Sequence, residues 1–152
     1  MNIIEKWVRG LTARFMPGKR HPRHLATGIW GEEQTETFLQ KKGHKILGRR
    51  VRVGRRDELD IITRSPENIL VFVEVKTRAN VDYGRPGQSV DHHKQRKLSR
   101  AAWNYIKRLK SKPEYFRFDV VEVVGSPESA SEPEIRHIEN AFPLAGGKRI
   151  YW

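Results

Sequence analysis

An α/β fold, with a mixed β-sheet flanked by helices, follows from three observations. Residues 69–75 form an almost continuously apolar, β-rich run, the pattern of a central strand covered on both faces. Residues 27–42 and 91–110 instead carry apolar positions at the three-and-four spacing of helices that pack on one side. The elements run α, a three-stranded meander, α, then β, an order that builds a sheet with helices against it.

From the N-terminus, residues 3–15 are compatible with a short amphipathic basic helix, and the breakers of 16–24 make residues 1–26 a basic arm. Residues 27–152 then read as a single domain. Its first helix, 27–42, ends at Gly43, the residue type that best accepts the left-handed backbone of a C-terminal cap. Ile29, Glu32, Glu36 and Leu39 share one stripe of this helix, so Glu32 points inward, whereas Glu33 falls off the stripe and is solvated.

Residues 45–53 read as the first strand, and Arg49, Arg50, Arg52, Arg55 and Arg56 load it and the following turn with positive charge, which reads equally as a solvated face or as a grip on phosphates beside the Asp60 strand. A second strand contains Leu59-Asp60-Ile61-Ile62. The turn formers Arg64-Ser65-Pro66-Glu67-Asn68 fold it back onto the third strand, Val71-Phe72-Val73-Glu74-Val75-Lys76. Residues 77–91, with Asn80, Gly84, Pro86 and Gly87, form a long loop of the kind that contacts substrate. In the second helix Lys94, Leu98, Ala101, Ala102, Tyr105 and Leu109 make the inward stripe. Residues 115–124 and 134–138 supply two further strands, separated by a polar, acidic loop.

Composition narrows the chemistry. There are 152 residues, enough for one ordinary core, and the absence of cysteine excludes disulfides, zinc–thiolate sites and cysteine nucleophiles. Any metal must be held by oxygen or imidazole. A formal net charge of +12 points to a polyanionic partner, with nucleic acid ahead of an anionic membrane surface. No window has the apolar length of a membrane span, and the first nine residues lack the apolar core of a secretory signal, so a cytoplasmic protein is expected.

Three charged side chains interrupt the apolar strands: Asp60, Glu74 and Lys76. Taking a charge out of water costs several kcal/mol unless a partner charge, hydrogen bonds or a metal offsets it, roughly as for other buried ions. Strand alternation puts Glu74 and Lys76 on one face, and a hairpin of the two strands brings Asp60 beside Glu74. Two carboxylates converging on a point beside an ammonium suggest a metal site. Alone, a Glu-x-Lys in so charged a chain is an ordinary surface ion pair, Asp60 could be satisfied by backbone donors, and Glu32 could pair with an arginine at a helix seam. Their combination in this order argues for the site. The histidines sit in basic or helix-opening contexts and are not assigned as ligands.

Asp60, Glu74 and Lys76 match the D…E-x-K signature of the PD-(D/E)xK nuclease superfamily, which the chain resembles. The segment from Gly28 through Glu32 and Leu39 to Gly43 is similar to the first helix of archaeal Holliday-junction resolvases. Over residues 27–142 the chain looks closer still to the YraN-like family of uncharacterised bacterial proteins. The matching stretches are Gly31-Glu32, Gly43-His44-Lys45-Ile46-Leu47, Glu58-Leu59-Asp60-Ile61-Ile62, Val71 through Arg78, Arg117-Phe118-Asp119-Val120-Val121 and Asn140-Ala141-Phe142. Asp57 departs from the pattern, which usually has glycine there. The resemblance implies a restriction-endonuclease-like core and a metal-dependent endonuclease acting on DNA, with preference for structured or branched forms.

In that reading Asp60 and Glu74 bind Mg2+ or Mn2+ with the Val75 carbonyl as a further ligand, and Lys76 positions the attacking water. Glu32 completes the site by orienting water or holding a second ion. Lys94, Arg78, Arg52, Arg55 and Arg56 contact phosphates, and the resolvase analogy implies a homodimer. The competing expectation is a nucleic-acid-binding module that keeps the fold without cutting. Salt weakens binding in both cases. Only the enzyme predicts tighter binding when divalent metal is added or when Asp60 and Glu74 are neutralised. A basic scaffold for a ribosome or an acidic protein would show no metal response.

Overall fold

The computed structural model describes residues 23–79 and 90–146. The expected helix at 3–15, most of the basic arm, most of the loop at 77–91 and the terminal Tyr151 and Trp152 lie outside the described residues. The elements are α1 (Arg23–Lys41), β1 (Lys45–Val53), β2 (Asp57–Arg64), β3 (Leu70–Arg78), α2 (His92–Arg108), β4 (Phe116–Val124) and β5 (Glu134–Phe142). The strands form one five-stranded sheet in sequential order. Only β3 and β4 are parallel, with α2 in the crossover between them, and the other pairs are antiparallel. This is the mixed α/β sheet that the sequence predicts.

Alternation along β3 divides the core into two layers. Val71 and Val73 pack with Leu39 of α1 and with Ile61, Val121 and Val123, while Leu70 and Phe72 pack with Leu98, Ala101, Ala102 and Ile106 of α2. Each helix therefore covers one face of the sheet. The central strand is apolar along both faces because both are covered. At Glu74 that rule breaks, and the side chain continues the parity of Phe72 into the α2 layer.

The local chemistry explains the boundaries. Among the described residues α1 already runs from Arg23 rather than 27, since no proline interrupts the chain after Pro22. It closes at Gly43, where φ is +84 and the N–H groups of Gly43 and His44 bond back to the carbonyls of Gln40 and Leu39. α2 is capped by Asp91, whose carboxylate accepts the Lys94 N–H at 2.8 Å. It stops at Arg108, and the Lys112 ammonium satisfies the carbonyls of Ile106, Lys107 and Leu109. β5 runs four residues beyond the expected 138. Phe142 stacks on Phe118 with ring centroids 4.8 Å apart, and a register shift in β4 between Phe118 and Val120 lets the pairing continue. Among the described residues no helix is long and apolar enough to cross a membrane.

Candidate active site

The β2–β3 hairpin assembles the site. Ser65 and Ile69 bond across its turn, and Asn68 takes the left-handed conformation at φ +67. The ladder pairs Ile62 with Phe72 and Ile61 with Val73, so one further step brings Asp60 level with Glu74. There the Asp60 Oδ2 accepts the Val75 N–H at 2.9 Å. A side chain thus replaces the ladder bond at the place where the second carboxylate emerges, and Val75 is drawn into the site through its backbone.

Within this site Glu74 is the most enclosed charge, with 4% of its side chain exposed. Its Oε1 receives the ammonium groups of Lys76 and Lys94, each at 3.1 Å. Its Oε2 is buried and has no hydrogen-bond partner. Lys76 arrives from two residues along β3, and Lys94 from the first turn of α2, held by the Asp91 cap. Burial and the neighbouring Glu74 charge push the Asp60 carboxyl up to about 7, against the opposing pull of the Val75 N–H and Lys94.

Glu32 is inward on α1 as its stripe predicts, and is 9% exposed. Both its oxygens are taken by Arg50, with Nε at 2.8 Å and Nη2 at 3.2 Å. Glu36, on the same stripe, pairs with Arg49 at 3.0 Å. Glu33 is exposed, as expected. Among the described residues no three or more His, Asp and Glu side chains are grouped so as to hold an ion by themselves. The carboxylates that the hairpin brings together are two, Asp60 and Glu74.

The remaining expected contacts are dispersed. Arg78 ends β3 beside Gly125, whose N–H bonds the Arg78 carbonyl at 2.8 Å. Arg52 is largely exposed beside Glu58, and Arg55 and Arg56 lie in the β1–β2 turn. That turn is about 13 Å from Asp60, at roughly 3.3 Å per strand residue. It is tied to α2 by a bidentate pair between Asp57 and Arg100, at 2.7 and 2.9 Å. Asp57 therefore anchors the arginine-bearing turn.

Sequence reasoning passed over Arg50 as one of five similar arginines. It also passed over Glu122, which is 4% exposed and lies in register with Lys76 on the adjacent strand. The signal that picks out Glu74, a charge inside an apolar strand, is present at Glu122 too. On the opposite face of the sheet, Asp119 is fully buried and accepts from Arg117, from His137 Nε2 at 2.8 Å and from the Asn140 N–H at 2.9 Å. Lys42 lies 3.0 Å from His137 Nδ1 and 3.1 Å from Glu139. His44, bonded to Thr63 at 2.8 Å, packs edge-on to His137. These groups satisfy one another in the α1 layer, away from Glu74.

Residues 31–123, which span Glu32, Asp60, Glu74, Lys76 and Lys94, match the uncharacterised protein family UPF0102. The chain is 41% identical over 124 residues to a UPF0102 protein of Chloroherpeton thalassium, covering 78% of this chain and 95% of that protein. It is 46% identical over 115 residues to one of Symbiobacterium thermophilum, covering 76% and 94%. With one of Pelobacter propionicus it shares 42% identity over 125 residues, covering 82% and 87%.

Proposed function

The chain belongs to the uncharacterised protein family UPF0102, and from the chemistry of its site we propose that it is a metal-dependent endonuclease that hydrolyses phosphodiester bonds in structured or branched DNA. The observation that carries this reading is the buried, unpartnered Oε2 of Glu74 beside Asp60. A carboxylate oxygen without a donor is costly in a protein interior, and a hard divalent cation is the partner it lacks. The D…E-x-K order of Asp60, Glu74 and Lys76, the fold and the net charge of +12 support the same chemistry.

Asp60 and Glu74, with the Val75 carbonyl, would hold Mg2+ or Mn2+. When bound, the ion would supply Lewis acidity toward a phosphate diester and its attacking water. Lys76 holds that water and answers the negative charge that develops at phosphorus. Lys94, at the opening of α2, contacts a phosphate oxygen, and Glu32 orients the water. Arg78 and the arginines Arg52, Arg55 and Arg56 contact flanking phosphates. Paired cuts in a branched substrate call for a homodimer.

The test is cleavage of labelled duplex, single strand, flap, four-way junction and RNA–DNA hybrid, with Mg2+ or Mn2+ against EDTA, by wild type and Glu74→Gln. We expect cutting that needs the ion and falls by on the order of 10²-fold or more in the variant. Binding across the panel without cutting would instead assign a non-catalytic nucleic-acid-binding module.

A further inference from the structure

The β1–β2 ladder pairs Arg49 with Ile61 and Val51 with Leu59, which sets Arg50 level with Asp60. Arg50 adopts φ +48, a left-handed backbone that few arginines take, and outliers of this kind concentrate at functional sites. From there its guanidinium grips both oxygens of Glu32, whose side chain is 11% exposed. Glu32, then Glu58 and Asp60, favour the positive charge on Arg50. Glu32 is close enough to Asp60 for its charge to add to the upward push on that carboxyl, but a fixed cation already neutralises it.

We propose that Arg50 is a built-in cation standing where a second divalent ion would be held, so that the site takes a single ion and Glu32 positions water instead of ligating metal. This rests on the metal reading above. A packing pair at a helix seam would leave ion stoichiometry unchanged when broken, whereas a built-in cation sets it.

The test is Mn2+ binding to the purified full chain, counted by electron paramagnetic resonance and titration calorimetry. Wild type is expected to bind one Mn2+ per chain. Arg50→Asn removes the charge, and asparagine tolerates positive φ, so the fold should persist by circular dichroism. This variant is expected to bind two ions, the second being lost when Glu32→Gln is added. Two ions in the wild type, or one ion in a folded Arg50→Asn, overturns the inference alone. Absence of Mn2+ binding by the wild type overturns the metal reading and this inference with it. Should Arg50→Asn fail to fold, Glu32→Gln decides: the uncompensated Arg50 charge should weaken the single Mn2+ by about tenfold, and unchanged affinity overturns the proposal.

Discussion

At Asp60 the raised carboxyl has a consequence of definite sign. Its folded value of about 7 lies above the ordinary carboxylate range, so between roughly pH 4 and 7 the folded chain holds a proton that the unfolded chain releases. The metal-free protein should therefore lose this stability contribution as pH rises through that window. Thermal melts from pH 4 to 8 should show the decline in wild type but not in Asp60→Asn, and parallel curves for the two proteins would refute it. Under the proposed metal reading a divalent cation would need the carboxylate, so its affinity should climb to about pH 7 and then level. Asp60, Glu74 and Lys76 are legible in the sequence because a charge between β-branched residues stands out locally. Arg50 is not, because only the hairpin register and the left-handed backbone separate it from Arg49 and Arg52.

At the scale of the element, α1 meets β3 at Gly31. A Cβ built there would run into the Thr77 hydroxyl, so the helix can sit this low over the end of β3 only with glycine at the contact. Gly31→Ala should destabilise by about 1–3 kcal/mol, as overpacking does, and added Thr77→Ala should recover part of it. Chemical denaturation measures both, and an unchanged midpoint for Gly31→Ala would remove the close contact from the account. The helix stripes and the Gly43 cap are readable from spacing alone, since they obey the period of one element. The length of β5 is not: Glu139 and Asn140 look like a strand end, and the partner that carries the strand on is Phe118, more than twenty residues earlier.

Across the whole molecule, the Asp119 network ties the end of α1 to β4 and β5 on the face opposite Glu74. Burial raises the Asp119 carboxyl, but His137, Arg117 and the Asn140 N–H outweigh it and hold the group below its ordinary value. Its contribution is thus present above about pH 4 and lost as acid protonates it, the reverse of Asp60. Asp119→Ala should cost about 3–5 kcal/mol, because it strands partly buried Arg117 and His137. A loss below about 1 kcal/mol in urea unfolding would show that those groups find other partners.

By itself the sequence determined the charge, the exclusion of thiol chemistry, the two helices, the strand alternation and which acids and lysine stand out as candidates. Each is a property of residue type or of a period within one element. Only the tertiary structure decided that Glu74 shares one oxygen between Lys76 and Lys94 and leaves the other unpartnered, that Glu32 is held by Arg50, and that Asp57 clasps Arg100. Those pairings join residues far apart in the chain, and they depend on register and on distances of a few ångströms, which local periodicity does not encode.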